Sequence, residues 1–78
     1  MNKEQQARDL KSEDRRIRIE AIKQGGLTPK QHAAVLNDRC WSVRMFAVVL
    51  GGLTDEQLAT ALNDEHEWVR MFAVRLGG

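Results

Sequence analysis

The sequence predicts an all-α fold, a right-handed α-solenoid of three 26-residue helical hairpins with about six helices, and three observations carry that expectation. The 78 residues divide at a period of 26 into 1–26, 27–52 and 53–78, each block closing on a glycine pair: Gly25-Gly26, Gly51-Gly52 and Gly77-Gly78. The second and third blocks agree at 16 of 26 positions, and the first keeps Gln5, Ala7, Leu10, Arg18 and Ala21 in the same register. The apolar residues recur at helical rather than strand spacing. Self-similarity at a period of roughly 20 to 50 residues marks units that bury their apolar faces only by stacking, and three units reach the usual minimum. The chain therefore reads as a single three-repeat domain spanning residues 1–78.

The first helix of each block opens on a capping box, Thr28-x-x-Gln31 and Thr54-x-x-Gln57, with Asn2-x-x-Gln5 as the weaker copy. There the side-chain oxygen and the glutamine satisfy backbone N–H groups that have no partner inside the helix. Pro29 fits the first helical position, where a missing N–H costs nothing. These helices should end near Asn37 and Asn63, too short to persist in water unless packed. The second helix of the middle block should run from near Cys40 to Leu50, with Val43, Phe46, Ala47 and Leu50 on one stripe. Val69, Phe72, Ala73 and Leu76 repeat that stripe in the last block. Gly51 or Gly77 would then end the helix in a left-handed conformation. Met45, Val48 and Val49 make the middle helix apolar nearly all round, the pattern of a buried helix.

The terminal blocks depart from this pattern where a stack would stop. Glu20 and Gln24 replace Phe46 and Leu50 in the first block, and Arg75 replaces Val49 in the last. Polar outer faces on terminal repeats keep such stacks soluble. Met1 also falls on a block boundary, so the expectation is a complete three-repeat protein.

Composition narrows the function classes. With 42% hydrophobic and 29% charged residues and a net charge of +1, the chain is neither a disordered tail nor a polybasic arm. A single cysteine excludes an intrachain disulfide framework, and the N-terminus lacks the apolar core of an export signal, so a cytoplasmic setting fits. No apolar run is long enough to cross a membrane; the longest is Met45 to Leu50. The length leaves no room for a separate substrate or cofactor domain, which argues against a self-contained enzyme.

The stretch LNDRCWSVRMFAV and its copy LNDEHEWVRMFAV resemble the inter-helix turn and second helix of HEAT-like repeats. In those repeats a turn aspartate is followed by Val-Arg and then by a small residue. The matching positions are Asp38, Val43, Arg44 and Ala47, and Asp64, Val69, Arg70 and Ala73. With the leading Leu-Thr, the block is also similar to the leucine-rich repeat variant, a short helical repeat of comparable period. The resemblance covers residues 27–78 well and residues 1–26 poorly, since Ser12 stands where the aspartate should be. It implies a structural role for Asp38, Arg44, Asp64 and Arg70, Arg44 and Arg70 each pairing with the turn aspartate, Asp38 or Asp64, in an ion pair that orders neighbouring turns. Such short arrays also resemble small phage and mobile-element proteins, which implies an adaptor or a host-directed inhibitor.

Arg18, without an aspartate in its own block, would be freer to meet a ligand. Trp41 aligns with Arg15 and Glu67, and Trp68 with Arg16 and Ser42, so neither tryptophan belongs to the repeated core. Both should lie on a rim near the start of a second helix. There an interface role and simple cover of a neighbouring turn stand level. His32 aligns with Gln6 and Leu58, and His66 with Asp14 and Cys40, which gives no repeated ligand pattern. Cys40 beside a histidine could form a nucleophile and base, but a small packed side chain is the commoner role. No catalytic, metal or cofactor motif appears.

The three blocks carry net charges of +2, +2 and −3. The expected function is therefore a non-enzymatic protein–protein interaction module using Trp41, Trp68, Arg15, Arg16, Arg39 and Arg18. Nucleic-acid binding through the basic first two blocks is the alternative. Self-assembly, for example a homodimer through Val49 or Met45, is the third.

Overall fold

The computed structural model of the chain describes residues 2–77, which hold six helices and no strand. In order these are α1 (Lys3–Asp9), α2 (Arg15–Lys23), α3 (Pro29–Leu36), α4 (Trp41–Leu50), α5 (Asp55–Leu62) and α6 (Glu67–Gly77). The capping boxes at Thr28 and Thr54 both close. Gln31 N–H donates to Thr28 Oγ1 at 3.1 Å and Thr28 N–H to Gln31 Oε1 at 2.9 Å. The pair Thr54–Gln57 repeats this at 3.1 and 3.0 Å. Only half a box forms at α1. Asn2 Oδ1 accepts from Gln5 N–H at 2.7 Å, while the Gln5 amide turns to Asp9 and Arg8.

Gly51 and Gly52 have φ of 82° and 69°, two successive residues in a region that side-chain-bearing residues avoid, and Gly25-Gly26 repeats the turn. This reverses the chain between blocks. α6 continues through Gly77, so the terminator expected there is not used as it is at Gly51; Gly78 lies outside the described residues.

Within each block the two helices pack together, α1 on α2, α3 on α4 and α5 on α6. Between blocks the second helices form the main contact, α2 on α4 and α4 on α6, with α3 on α5 beside them. Ile22, Val35, Leu36, Val43, Ala47, Val48, Ala61, Val69 and Ala73 make one continuous core through all three blocks. The expectation of a wholly buried α4 is corrected. Val43, Ala47 and Val48 are fully buried, but Val49 and Leu50 are 45% and 37% exposed. α4 packs against α2, α3 and α6.

A buried polar tie also recurs across unlike residues. Gln6 Nε2 donates to the carbonyls of Ala21 at 3.0 Å and Gly25 at 2.8 Å, and His32 Nε2 bonds the equivalent carbonyl of Ala47 at 3.1 Å. A carbonyl only accepts, so His32 must carry its proton on Nε2. Leu58 occupies this place in the last block, half-buried against the core.

Candidate functional site

The site is built on the turns that join the two helices of each block. Ser12, Asp38 and Asp64 each accept from the N–H two residues on, at 3.1, 2.9 and 2.8 Å. These local turns start the second helices in a common orientation. Six residues after each turn stands an arginine whose Nη1 donates back to the turn carbonyl. The distances are 2.7 Å for Arg18 to Ser12, 2.7 Å for Arg44 to Asp38 and 2.6 Å for Arg70 to Asp64.

The other edge of the guanidinium reaches forward to the next block. Arg44 Nε and Nη2 grip the Asp64 carboxylate at 2.9 and 3.2 Å. Arg18 Nη2 donates to Asp38 Oδ1 at 3.1 Å, with Nε 2.9 Å from Oδ2 but not aimed at it. Two sequence expectations are thereby corrected. Arg44 takes only the carbonyl of Asp38 and finds its carboxylate on Asp64. Arg18 is not free to meet a ligand: it is 4% exposed and spent on Asp38. Ser12 keeps the local half of the aspartate's role and lacks the charge, at a position where no earlier arginine reaches it among the described residues. Arg70 keeps its turn carbonyl, but its forward edge meets no carboxylate among the described residues, and it is exposed.

The N-terminal ends of α2, α4 and α6 carry the variable residues. Asp14 caps α2 through Arg16 N–H at 2.9 Å. That bond, the Arg16 side chain and nearby positive charge hold its carboxyl below the ordinary range. Cys40 stands at the N-cap of α4. Its Sγ lies 3.0 Å from Ser42 Oγ and 3.9 Å from Arg15 Nη1. The Ser42 hydroxyl chiefly, opposed by partial burial and helped by backbone N–H groups and Arg15, lowers the thiol to about 7. His66 caps α6, its Nδ1 accepting from Trp68 N–H at 3.2 Å. The His66 ring is stacked on Trp41 at 4.1 Å with planes 8° apart.

One relation recurs here as well: Arg15 reaches Cys40, and Trp41, at the same block position, reaches His66, at that of Cys40. No hydrogen bond joins Cys40 to either histidine among the described residues.

Trp41 and Trp68 are 37% and 45% exposed and are linked through His66. Trp41 thus covers a neighbouring turn and still presents surface. Arg15 and Arg16 lie exposed on the first turn of α2, and Arg39 lies beside Cys40 and pairs with Glu13 at 3.5 Å. The other basic residues do not gather here. Lys23 pairs with Glu20, while Lys11 and Lys30 line a separate cleft of about 400 Å3 together with Ala7, Leu10, Ala34 and Val35.

Sequence reasoning missed the outer face of the last block. Arg75 was expected to make that end polar, yet it lies over the Phe72 ring at 5.8 Å. Leu62, Arg70, Met71 and Val74 are all exposed. Their equivalents Leu36, Arg44 and Val48 are buried and Met45 is half-buried, a signal that the aligned blocks already held. Neither family models, nor curated proteins, nor solved structures give a match to this chain. No helix among the described residues is long and apolar enough to cross a membrane.

Proposed function

We propose that this protein is a non-enzymatic protein-binding module, an adaptor or inhibitor. In this reading it is a right-handed α-solenoid of three helical repeats that engages a protein partner along the rim formed by the starts of α2, α4 and α6. The observation that carries the reading is Trp41, held flat against His66 while more than a third of it remains in solvent. A large aromatic already fixed in place loses little freedom on binding, which is how hot-spot residues gain affinity. Trp68 extends the apolar surface, and Arg15, Arg16 and Arg39 supply a polar border with guanidinium groups suited to carboxylates or backbone carbonyls. Arg18 leaves the set, because its guanidinium orders the first junction.

The test compares capture of proteins from the native cell by the wild-type chain and by Trp41→Ala and Trp68→Ala variants that still melt cooperatively. Loss of a wild-type partner in both variants supports the rim, and undiminished capture contradicts it. The nucleic-acid alternative is weaker, because Asp14 and Glu13 pair with Arg16 and Arg39 within the same strip. Steeply salt-dependent binding of labelled DNA would reverse that ranking.

A further inference from the structure

The outer face of the third block is a junction surface with nothing on it among the described residues. At the first junction Ile22 is 1% exposed and Arg18 is clamped on Asp38. At the second, Val48 is 0% exposed and Arg44 is clamped on Asp64. The same positions in the third block are Val74, 58% exposed, and Arg70 with no carboxylate among the described residues. Leu62 and Met71 add 38% exposure each, against 7% for Leu36 in the covered copy. Arg70 is nonetheless pre-set, because its Nη1 bond to the Asp64 carbonyl repeats the bonds that orient Arg18 and Arg44. Apolar surface around an oriented cation is the half of a junction that precedes an aspartate-bearing turn.

We infer that Leu62, Arg70, Met71 and Val74 form a docking surface for a helix pair of another protein, one that offers a turn aspartate to Arg70 and apolar side chains to Val74 and Met71. Charge complementarity identifies the first requirement, since both covered arginines close on an aspartate. Continuity with two junctions of the same design identifies the second. A second copy of this chain does not meet them. Its leading face carries Ser12 at the aspartate position, Glu20 where Phe46 and Phe72 stand, and Gln24 where Leu50 and Leu76 stand, while Ile17 keeps the apolar type and is exposed. This surface is independent of the tryptophan rim.

The test uses an acceptor probe, this chain carrying Ser12→Asp, Glu20→Phe and Gln24→Leu to complete the leading face. Arg70→Glu and Val74→Glu in the same probe keep it from binding itself. Titrated into wild-type protein by calorimetry, the probe should form a one-to-one complex. Arg70→Ala or Val74→Glu in the wild-type partner should weaken that complex at least about tenfold. A folded probe that does not bind, or binds both variants equally well, overturns the inference. So does self-association of the wild-type chain that Val74→Glu abolishes, because the occupant is then a second copy. Should the probe fail to melt cooperatively, a wild-type chain extended after residue 78 by another copy of residues 53–78 decides. In it, Arg70→Ala should lower the melting temperature as far as Arg44→Ala does, and an Arg70→Ala without effect there overturns the inference.

Discussion

The junction between the second and third blocks and the outer face of the third share their residue types, yet only the first is covered. Arg44 is 7% exposed and holds Asp64 through two nitrogens, whereas Arg70 keeps one carbonyl and stands in solvent. Val48 is 0% exposed and Val74 is 58% exposed. Identical letters in a repeat therefore share a backbone frame without sharing an environment. The frame is local, set by the turn and its arginine, while the energy comes from whichever block lies next.

That contrast is most sharply broken at the arginines. Arg44→Ala should destabilise the chain by about 3 kcal/mol, because it leaves the half-buried Asp64 carboxylate without its cation. Arg70→Ala should stay within about 0.5 kcal/mol, as substitutions on open surface do. Urea unfolding followed by circular dichroism measures both, and equal losses would contradict the contrast.

The valines give a smaller version of the same test. Val48→Ala should cost about 1.5–3 kcal/mol through lost burial and the cavity left behind, against about 0.5 kcal/mol or less for Val74→Ala. Thr54→Ala, which removes half of a capping box on the exposed side of the third block, should cost about 1 kcal/mol in the same assay.

The smallest effect is electrostatic and belongs to the first junction, where Arg15 of one block meets Cys40 of the next. The Cys40 thiol should react with iodoacetamide along a curve centred at about 7. Ser42→Ala should move that midpoint upward, toward the ordinary thiol value of 9.0, and Arg15→Ala should move it the same way by less. Because the folded value lies below the unfolded one, the thiolate adds stability as pH rises from about 7 toward 9, and this is lost as pH falls through about 7. A midpoint near the ordinary thiol value in the wild-type chain would contradict the Ser42 contact.

Much of the fold was legible in the sequence because its signals are local. Thr28 and Thr54 announced their helices, and the glycine pairs announced the reversals. The direction of the arginine ladder was not legible. The resemblance pairs Arg44 with Asp38, the turn aspartate of its own block, whereas the packing of α4 on α6 puts the Asp64 carboxylate on that guanidinium. The role of Arg18 is hidden in the sequence for the same reason, since its aspartate, Asp38, lies in the following block. The shared role of Gln6 and His32 was not legible, because what recurs is a hydrogen bond to one carbonyl rather than a residue type. At the rim, the tryptophans were legible as departures from the repeat. The stacking of Trp41 on His66 joins two blocks, and no spacing within one block encodes it.

Arg18 and Arg44 pair forward, each with the aspartate of the next block. A double-mutant cycle measures this pairing most directly, with Arg44→Met combined with Asp64→Asn in one cycle and with Asp38→Asn in another. A coupling of about 0.5–3 kcal/mol is expected between Arg44 and Asp64, and a clearly smaller one between Arg44 and Asp38, whose carboxylate belongs to Arg18. A coupling to Asp38 equal to or larger than that to Asp64 would contradict it.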